Sequence, residues 1–252
     1  MRPLADRLRP NKLEDIIGQK HLIGKGKIIR NLINNQKIFS MILYGPCGTG
    51  KTTLAYTIIN ELNLKHEFLN AVINSKKDLD KVIEIAKAND GLVLIMDEIH
   101  RLNKDKQDLL LPYLENGIIT LIGLTTSNPY HSINPAIRSR CQLFELKLLE
   151  KEDIKEALKK AVNKLENIKI DEECIDYIAS LSGGDVRYAY NFLEIAYYAS
   201  ENYKIDMEVL KTIMSKPSLY IDKNDDGYYD VISALQKSIR GSDVNAALHY
   251  LA

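Results

Sequence analysis

One eight-residue stretch has the residue types and the spacing of a phosphate-binding loop. It fits the pattern G-x-x-x-x-G-K-[ST] directly after the apolar run Met41–Tyr44, although a glycine-rich turn entering a helix is the alternative. Glycines at this spacing let successive backbone N–H groups point at one phosphate. Lys51 is then placed to reach the β- and γ-phosphates, and the Thr52 hydroxyl to ligate Mg²⁺. The residues predicted to bind the nucleotide here are Gly45, Pro46, Cys47, Gly48, Thr49, Gly50, Lys51, Thr52 and Thr53.

Two carboxylates follow another strongly apolar run. Asp97 and Glu98 come directly after Leu92–Met96. Asp97 is suited to hold Mg²⁺ through its water shell, because this ion prefers hard oxygen ligands. Glu98 is suited to polarise a water for in-line attack on the γ-phosphate. By themselves, two such acidic residues often mark only a solvated turn. After a phosphate loop, they indicate that the nucleotide is hydrolysed and not only bound.

A third apolar run, Ile119–Leu124, ends in a polar tip. Within this tip, Asn128 is our candidate for a catalytic residue that orients the attacking water beside a γ-phosphate. The alternative is an Asn-Pro turn opener, since Pro129 follows. The residues alone leave both interpretations open.

Five short apolar runs alternate with helical patterns through the first 146 residues. Continuous apolar runs joined by helices are what a parallel sheet covered on both faces requires. We therefore predict an α/β domain at residues 1–146, built on a parallel sheet of five strands. Ligands on such sheets bind at the carboxyl ends of the strands, where the polar residues above lie. The predicted strands are Met41–Tyr44, Glu67–Val72, Leu92–Met96, Ile119–Leu124 and Leu143–Leu146, and the helices between them are Lys51–Leu62, Asp78–Ala88, Lys104–Glu115 and Pro135–Ser139.

After Leu146 the pattern is helical only, which predicts an all-helical lid domain at residues 147–215. The turn-rich segment 216–227 is predicted to be a linker. Residues 228–252 start another helical region, whose first helix is closed by Gly241. Because the last helix runs to Ala252 without a stop signal, we expect the beginning of a truncated C-terminal oligomerisation domain here. The predicted lid helices are Lys151–Leu165, Asp171–Leu181, Asp185–Tyr198 and Asp206–Met214.

Charge and cysteine content narrow the classes of function. The 34 Lys and Arg residues balance 34 Asp and Glu residues, so DNA contact must be local or supplied by an oligomer. The modest basic cluster of Lys20, Lys25, Lys27 and Arg30 is not assigned to DNA. No apolar run approaches the ~18–20 residues that span a bilayer, so no membrane role is expected. Three scattered cysteines without metal-ligand spacing indicate reduced thiols in a cytosolic protein.

Together these residues resemble the AAA+ ATPases, and more closely their clamp-loader branch. The segment Arg9–Gln19 resembles the one that covers the adenine in that branch, which implies a nucleotide contact at Ile17. Asp97–His100 resembles its Walker B run, and Ser139–Cys141 resembles the Ser-Arg-Cys motif of clamp-loader subunits. Gly184–Arg187 resembles the sensor 2 helix, which brings an arginine to the nucleotide from the lid.

The same resemblance gives two arginines different catalytic roles. Arg187 touches the γ-phosphate of its own chain, whereas Arg140 completes the site of a neighbouring subunit. Such a trans-acting finger requires a head-to-tail assembly. Arg138, two residues earlier, is a rival for this role, and a plain surface arginine is the alternative for Arg140.

A narrower resemblance covers nearly the whole chain and is to the replication-associated recombination protein A family, related to the eukaryotic Werner-helicase-interacting ATPase. It is carried by Pro3–Pro10, Gly18–Leu22, Ser40–Pro46, Asp97–Lys104, Gln107–Asp108, Ser233–Asp243 and Ala246–Leu248. The resemblance implies ATP and Mg²⁺ as cofactors and DNA-dependent ATP hydrolysis at stalled replication forks, in recombination and in replication restart. Implied partners are replication proteins and DNA, as single strands, ends or forks, contacted by a homotetramer in the cytoplasm at the nucleoid. Cys47, Leu124 and Ser127 depart from the usual family residues without removing a catalytic group.

Other functions stay as alternatives. A clamp-loader-like or nucleotide-binding subunit with little hydrolysis has less need of Glu98. A Holliday-junction branch-migration motor should carry a winged DNA-binding domain after the lid, and Ser233–Leu248 looks different. A small-molecule kinase would need a phosphoacceptor pocket, and the helical lid with Gly184–Arg187 speaks against it.

Overall fold

The computed structural model describes residues 2–213 and 226–251. The chain divides into two compact units, Met1–Ser215 and Lys216–Ala252, each described by itself below. Of the predicted linker at 216–227, residues 216–225 lie outside the described residues. Across the two described ranges, no helix is long and apolar enough to cross a membrane.

The first unit is built on a sheet of five parallel strands in the order β2-β3-β4-β1-β5. This arrangement confirms the predicted parallel sheet. Because β1, β3 and β4 are neighbours at its centre, the residues that follow them meet at one edge. The strands are β1 (Met41–Tyr44), β2 (His66–Asn70), β3 (Leu92–Asp97), β4 (Ile119–Thr125) and β5 (Gln142–Glu145).

The central strands are apolar throughout because both of their faces are covered. In β3, Val93 and Ile95 belong to the hydrophobic core on one face, and Leu92, Leu94 and Met96 belong to the core on the other. In such a strand, successive side chains point to opposite faces, so burial on both sides leaves no place for a polar residue.

Helices cover both faces of this sheet. The core on one face contains side chains of α3 and α4, and the core on the other contains side chains of α5, α6 and α8. A 3₁₀ turn at Leu13–Asp15 precedes α2. The helices of this part are α1 (Leu4–Arg7), α2 (Lys20–Ile23), α3 (Ile28–Asn34), α4 (Lys51–Glu61), α5 (Lys76–Ala88), α6 (Lys104–Glu115), α7 (Pro129–Ser132) and α8 (Pro135–Arg138).

The lid follows the sheet and has a separate hydrophobic core. Its helices match the prediction, but the lid is not entirely helical, because two two-residue strands pair in parallel. These strands are too short to leave an alternating pattern in the sequence. The lid elements are α9 (Lys151–Val162), β6 (Lys169–Ile170), α10 (Glu172–Leu181), α11 (Val186–Ala199), β7 (Lys204–Ile205) and α12 (Met207–Ile213).

The N-terminal segment belongs to the packing of both parts. Leu4 is fully buried in the lid core, and its N–H donates to Glu194 Oε2 of α11 at 2.9 Å. Leu13 is buried under the sheet, and its N–H donates to Glu61 of α4. The start of the chain, predicted to belong to the α/β domain, therefore packs on the lid as well.

Within its described residues, 226–251, the second unit is a helical hairpin. Its helices are α13 (Asp226–Arg240) and α14 (Val244–Leu251). As predicted, the first helix ends before Gly241. Asp243 caps the second helix by accepting from the Ala246 N–H at 3.0 Å.

Candidate active site

The predicted phosphate loop connects β1 to α4 and is shaped by its glycines. Gly45 has φ = 139°, and a Cβ there would lie 2.1 Å from the Leu146 carbonyl oxygen. Gly48 has φ = 67°, and its Cβ would lie 1.8 Å from Oδ1 of Asp185 in the lid. Only glycine combines these left-handed conformations with such close approaches.

The Lys51 ammonium is held against the same loop. Its Nζ donates to the carbonyl oxygens of Gly45 and Pro46, both at 2.7 Å. Burial lowers the pKa of Lys51, and the nearby Arg187 guanidinium lowers it further, whereas Cys47 and Glu98 raise it. A partly desolvated cation at this position interacts strongly with an anion brought into the loop.

The carboxylate of Asp97, which ends β3, is held by specific hydrogen bonds. Asp97 Oδ1 accepts from the Glu98 N–H at 3.0 Å, and its Oδ2 accepts from Asn70 Nδ2 at 3.4 Å. Glu98 itself has a left-handed backbone with φ = 51°. For a residue other than glycine this conformation is uncommon and is found at functional sites.

His100 links the ends of two strands, and sequence reasoning did not select it. Its Nδ1 lies 3.4 Å from Glu98 Oε2 and 2.8 Å from the hydroxyl of Thr125, which ends β4. Burial lowers the pKa of His100, while the Glu98 carboxylate raises it. In the sequence, His100 ends the Asp97–His100 run that resembles Walker B, but no role was predicted for it.

One cleft brings most of the predicted residues together. Its lining includes the phosphate loop from Cys47 to Thr53, both carboxylates, Ile17 and the lid residue Arg187. Arg9, Pro10 and Ile16, from the segment expected to cover the adenine, also line it, as does Val186 from the lid segment Gly184–Arg187. Its remaining lining residues were not predicted from the sequence, namely Ala5, Asp6, Leu8, Thr126, Leu149 and Tyr190.

Asn128 lies outside this lining, and Thr126 from the same tip takes a place in it. The Asn128 Oδ1 accepts from the Tyr130 N–H at 3.0 Å and caps α7. This cap is what an Asn-Pro turn opener provides, and the water-orienting role of Asn128 stays a prediction.

Arg140 also lies outside the cleft of its own chain. Its guanidinium pairs with the Glu115 carboxylate and donates to the Ala136 carbonyl oxygen at 2.6 Å. Its rival Arg138 donates to the Tyr130 carbonyl oxygen at 2.6 Å and stacks over the Tyr130 ring. Arg138 thus links α8 to α7 by a hydrogen bond, whereas Arg140 lies on the surface.

Buried Gln19 connects the loop to the start of the lid. Its Nε2 donates to the carbonyl oxygens of Thr49 at 3.2 Å and Lys147 at 2.7 Å, and its Oε1 accepts from the Lys147 N–H. The lid also forms a direct hydrogen bond to the loop, in which the Val186 N–H donates to the Gly48 carbonyl oxygen at 3.3 Å.

The oxygen donors in the cleft fit a magnesium ion. Thr52 and Asp97 supply one hydroxyl and one carboxylate from neighbouring elements. No group of three or more His, Cys, Asp or Glu residues within 2–213 and 226–251 is arranged to hold a metal. This sparse set suits Mg²⁺, which keeps several waters and takes further ligands from phosphates.

Comparison with known proteins identifies the family. Residues 8–134 match the model of the Holliday junction DNA helicase RuvB P-loop domain, and residues 163–240 match that of an AAA C-terminal domain. The chain is 51% identical to replication-associated recombination protein A of Bacillus subtilis, over all of this chain and 62% of that protein. It is 37% identical to the ATPase WRNIP1 of Dictyostelium discoideum, over 99% of this chain and 32% of that protein.

A solved structure agrees with this grouping. The RuvB Holliday junction branch migration motor of Thermotoga maritima superposes with a TM-score of 0.69 at 26% identity, over 92% of this chain and 80% of that one. The chain thus spans less than two thirds of the Bacillus protein's length but most of the RuvB motor. The chain belongs to the AAA+ P-loop ATPases with a RuvB-type P-loop domain, and over its whole length it is similar to replication-associated recombination protein A.

Proposed function

We propose that this chain hydrolyses Mg·ATP and that hydrolysis drives a transaction on DNA in replication and recombination. The observation that carries the proposal is one cleft in which Lys51, Thr52, Asp97, Glu98 and Arg187 converge. A site that only bound the nucleotide would need the loop but not a carboxylate positioned beside it.

Each of these side chains has a distinct task in hydrolysis. Glu98 accepts a proton from the attacking water, and the His100 Nδ1 lies 3.4 Å from its carboxylate. Lys51 and Arg187 offset the negative charge on the γ-phosphate during transfer. Thr52 and Asp97 would hold Mg²⁺, which would supply positive charge to offset the negative charge of the phosphates.

We further propose that Arg140 acts on the nucleotide of a neighbouring subunit. It lies outside its own cleft, and its side chain is on the surface where a second copy can reach it. Because donor and acceptor surfaces differ, the assembly is head-to-tail. A homotetramer, as the family resemblance implies, satisfies this requirement.

DNA is the proposed macromolecular partner, as single strands, duplex ends or forks. Support comes from the name of the Bacillus relative, replication-associated recombination protein A, and from the RuvB-type P-loop domain. The proposed setting is the cytoplasm at the nucleoid, with replication proteins as further partners.

A branch-migration motor is the second candidate, favoured by the likeness to the RuvB motor. The identity of 26% to that motor, against 51% to the Bacillus protein, makes it the weaker one. A four-way junction in the substrate panel separates the two.

The test is the steady-state ATPase rate with no DNA and with single-stranded, blunt duplex, forked and four-way DNA. We expect stimulation by strands, ends or forks, and no rate in Lys51→Ala, which serves as the background control. Mg²⁺ dependence is read from the same assay with and without EDTA. A rate that no DNA raises would refute the DNA-dependent part, and one raised only by the four-way junction would favour the motor.

A further inference from the structure

Arg140, the arginine proposed to act on a neighbouring subunit, is engaged within its own chain. Its Nη2 donates to Oε1 of Glu115. Its Nη1 donates to the Ala136 carbonyl oxygen at 2.6 Å and to Ser139 Oγ at 3.2 Å. Because the carboxylate neutralises the guanidinium charge, an arginine held in this arrangement can offset little of the negative charge on a phosphate.

The backbone that carries Arg140 is fixed, so only the side chain can move toward a partner. The residue lies in the turn between α8 and β5. Its N–H donates to the carbonyl oxygen of Ile137, which is fully buried, at 3.0 Å. The next N–H, of Cys141, donates to the Arg138 carbonyl oxygen at 3.2 Å. Rotation of the side chain therefore decides whether the guanidinium faces its own chain or a neighbour.

Glu115 stands where a helix does not favour a carboxylate. It is the last residue of α6, and the partial negative charge at the C-terminus of a helix repels an acidic side chain. The last turn of α6, which the structure describes in full, holds no basic residue to offset this repulsion. The Arg140 guanidinium supplies that cation from the turn after α8. Glu115 is thus explained by its contact with Arg140 and not by the stability of its own helix.

The pair between Glu115 and Arg140 is weak enough to open. The Glu115 side chain is 53% exposed and the Arg140 side chain is 35% exposed. Exposed ion pairs contribute little free energy, because water and salt screen them. A γ-phosphate carries more negative charge than a carboxylate and can accept two N–H groups of one guanidinium. An ATP-loaded neighbour can therefore take Arg140 from Glu115, whereas a neighbour without a γ-phosphate leaves the pair closed.

We propose that Glu115 is an autoinhibitory residue, which holds Arg140 away from the neighbouring nucleotide until a γ-phosphate displaces it. The inference rests on the proposed trans-acting role of Arg140 and adds the regulation of that site. After hydrolysis has removed the γ-phosphate, Arg140 returns to Glu115, and the product in the neighbouring cleft is no longer held by this arginine.

The experiment mixes two inactive variants, so that only one kind of interface hydrolyses ATP. Arg140→Ala keeps its own cleft but donates no arginine, and Lys51→Ala donates the arginine but does not hydrolyse. Glu115→Gln removes the carboxylate charge at nearly the same side-chain length, and it is added to one partner at a time. The steady-state ATPase rate is measured below the protein concentration at which it saturates.

The effect should depend on which partner carries the substitution. When K51A/E115Q is mixed with R140A, we expect the rate to rise about two- to fivefold, the range that follows from the free energy of an exposed ion pair. When K51A is mixed with R140A/E115Q, we expect no change, because the substituted chain has no guanidinium to hold. A merely structural role of Glu115 would give the same effect in both mixtures.

Glu156→Gln on the arginine donor is the matched control, because Glu156 forms a similarly exposed pair with Lys160 at 2.8 Å on α9. It is expected to leave the rate of the mixture unchanged. An unchanged or lower rate with Glu115→Gln on the donor, or an equal rise on both partners, would overturn the autoinhibition and leave the trans-acting arginine in place. A mixture of R140A and K51A that hydrolyses no ATP would overturn the trans-acting role, and this inference with it.

Discussion

Replacing Gly48 by alanine tests how the lid fits against the phosphate loop. An alanine at φ = 67° costs about 1–2 kcal/mol, because left-handed backbone places Cβ close to the carbonyl oxygen. The new Cβ would also lie 1.8 Å from Asp185 Oδ1, so that carboxylate has to move. Oδ1 accepts from the Tyr188 N–H at 2.9 Å as the cap of α11, and removing such a cap costs about 1 kcal/mol. We therefore expect Gly48→Ala to lower the free energy of unfolding by about 2–3 kcal/mol.

A double-mutant cycle separates the two contributions. Asp185→Ala alone should cost about 1 kcal/mol, the value of the cap. In the double variant the cap is already absent and the clash is gone, so the two effects should fall short of additivity by about 1 kcal/mol. Gly26→Ala is the control for the backbone term, because Gly26 has φ = 74° and no atom within 4 Å of a Cβ.

The assay is urea unfolding followed by circular dichroism without nucleotide, with all four variants measured at one pH and salt concentration. Gly48→Ala should be more destabilised than Gly26→Ala by about the value of the cap. Equal destabilisation of these two variants, together with a strictly additive cycle, would refute the contact between loop and lid.

Three further predictions concern the ATPase rate and the pH dependence of stability. Glu98→Gln should bind ATP but hydrolyse it at least ~100-fold more slowly. Asp97→Asn should weaken only the Mg²⁺-dependent part of ATP binding. Equal loss of binding in both variants, measured by fluorescent-nucleotide titration, would contradict these roles. Arg140→Ala should lower the ATPase rate of the assembled protein by ~10³-fold or more at unchanged ATP affinity, and mixing it with Lys51→Ala should restore part of the rate. A concentration-independent wild-type rate from a monomer would exclude the trans-acting arginine. Because burial lowers the pKa of His100, the unfolded chain binds a proton on this side chain at a higher pH than the folded chain does. The free energy of unfolding should therefore fall as the pH drops below 6.5. In His100→Gln, the urea midpoint should change less between about pH 7 and pH 5.

The elements that carry the chemistry were predictable because local rules fix them. The phosphate loop has a fixed spacing, and strands buried on both faces, such as Leu92–Met96, leave continuous apolar runs. Since a parallel sheet brings its carboxyl ends to one edge, the convergence of Lys51 with Asp97 and Glu98 followed from the order of runs and helices.

The remaining parts depend on interactions between distant residues, which leave no local pattern. The strand prediction ran on to Val72 because Ala71 and Val72 are apolar, whereas the Asn70 side chain ends β2 by bonding the Val72 N–H. His100 acquires its partner Thr125 only when β3 and β4 pair. Likewise, nothing near Leu4 indicates that it packs beneath α11.

The N-terminal segment has a consequence for how residues 2–213 unfold. Leu4 is hydrogen-bonded to Glu194, which lies 190 positions later in the chain. Leu13 is hydrogen-bonded to Glu61, and Gln19 to both Thr49 and Lys147. The segment thus joins the two ends of a chain loop that contains the whole sheet. Once these hydrogen bonds have formed, packing of the lid on the sheet carries no further entropic cost of closing that loop. Neither part can open far without breaking these bonds and exposing Leu4 or Leu13, so the sheet and the lid form one cooperative unit despite their separate cores.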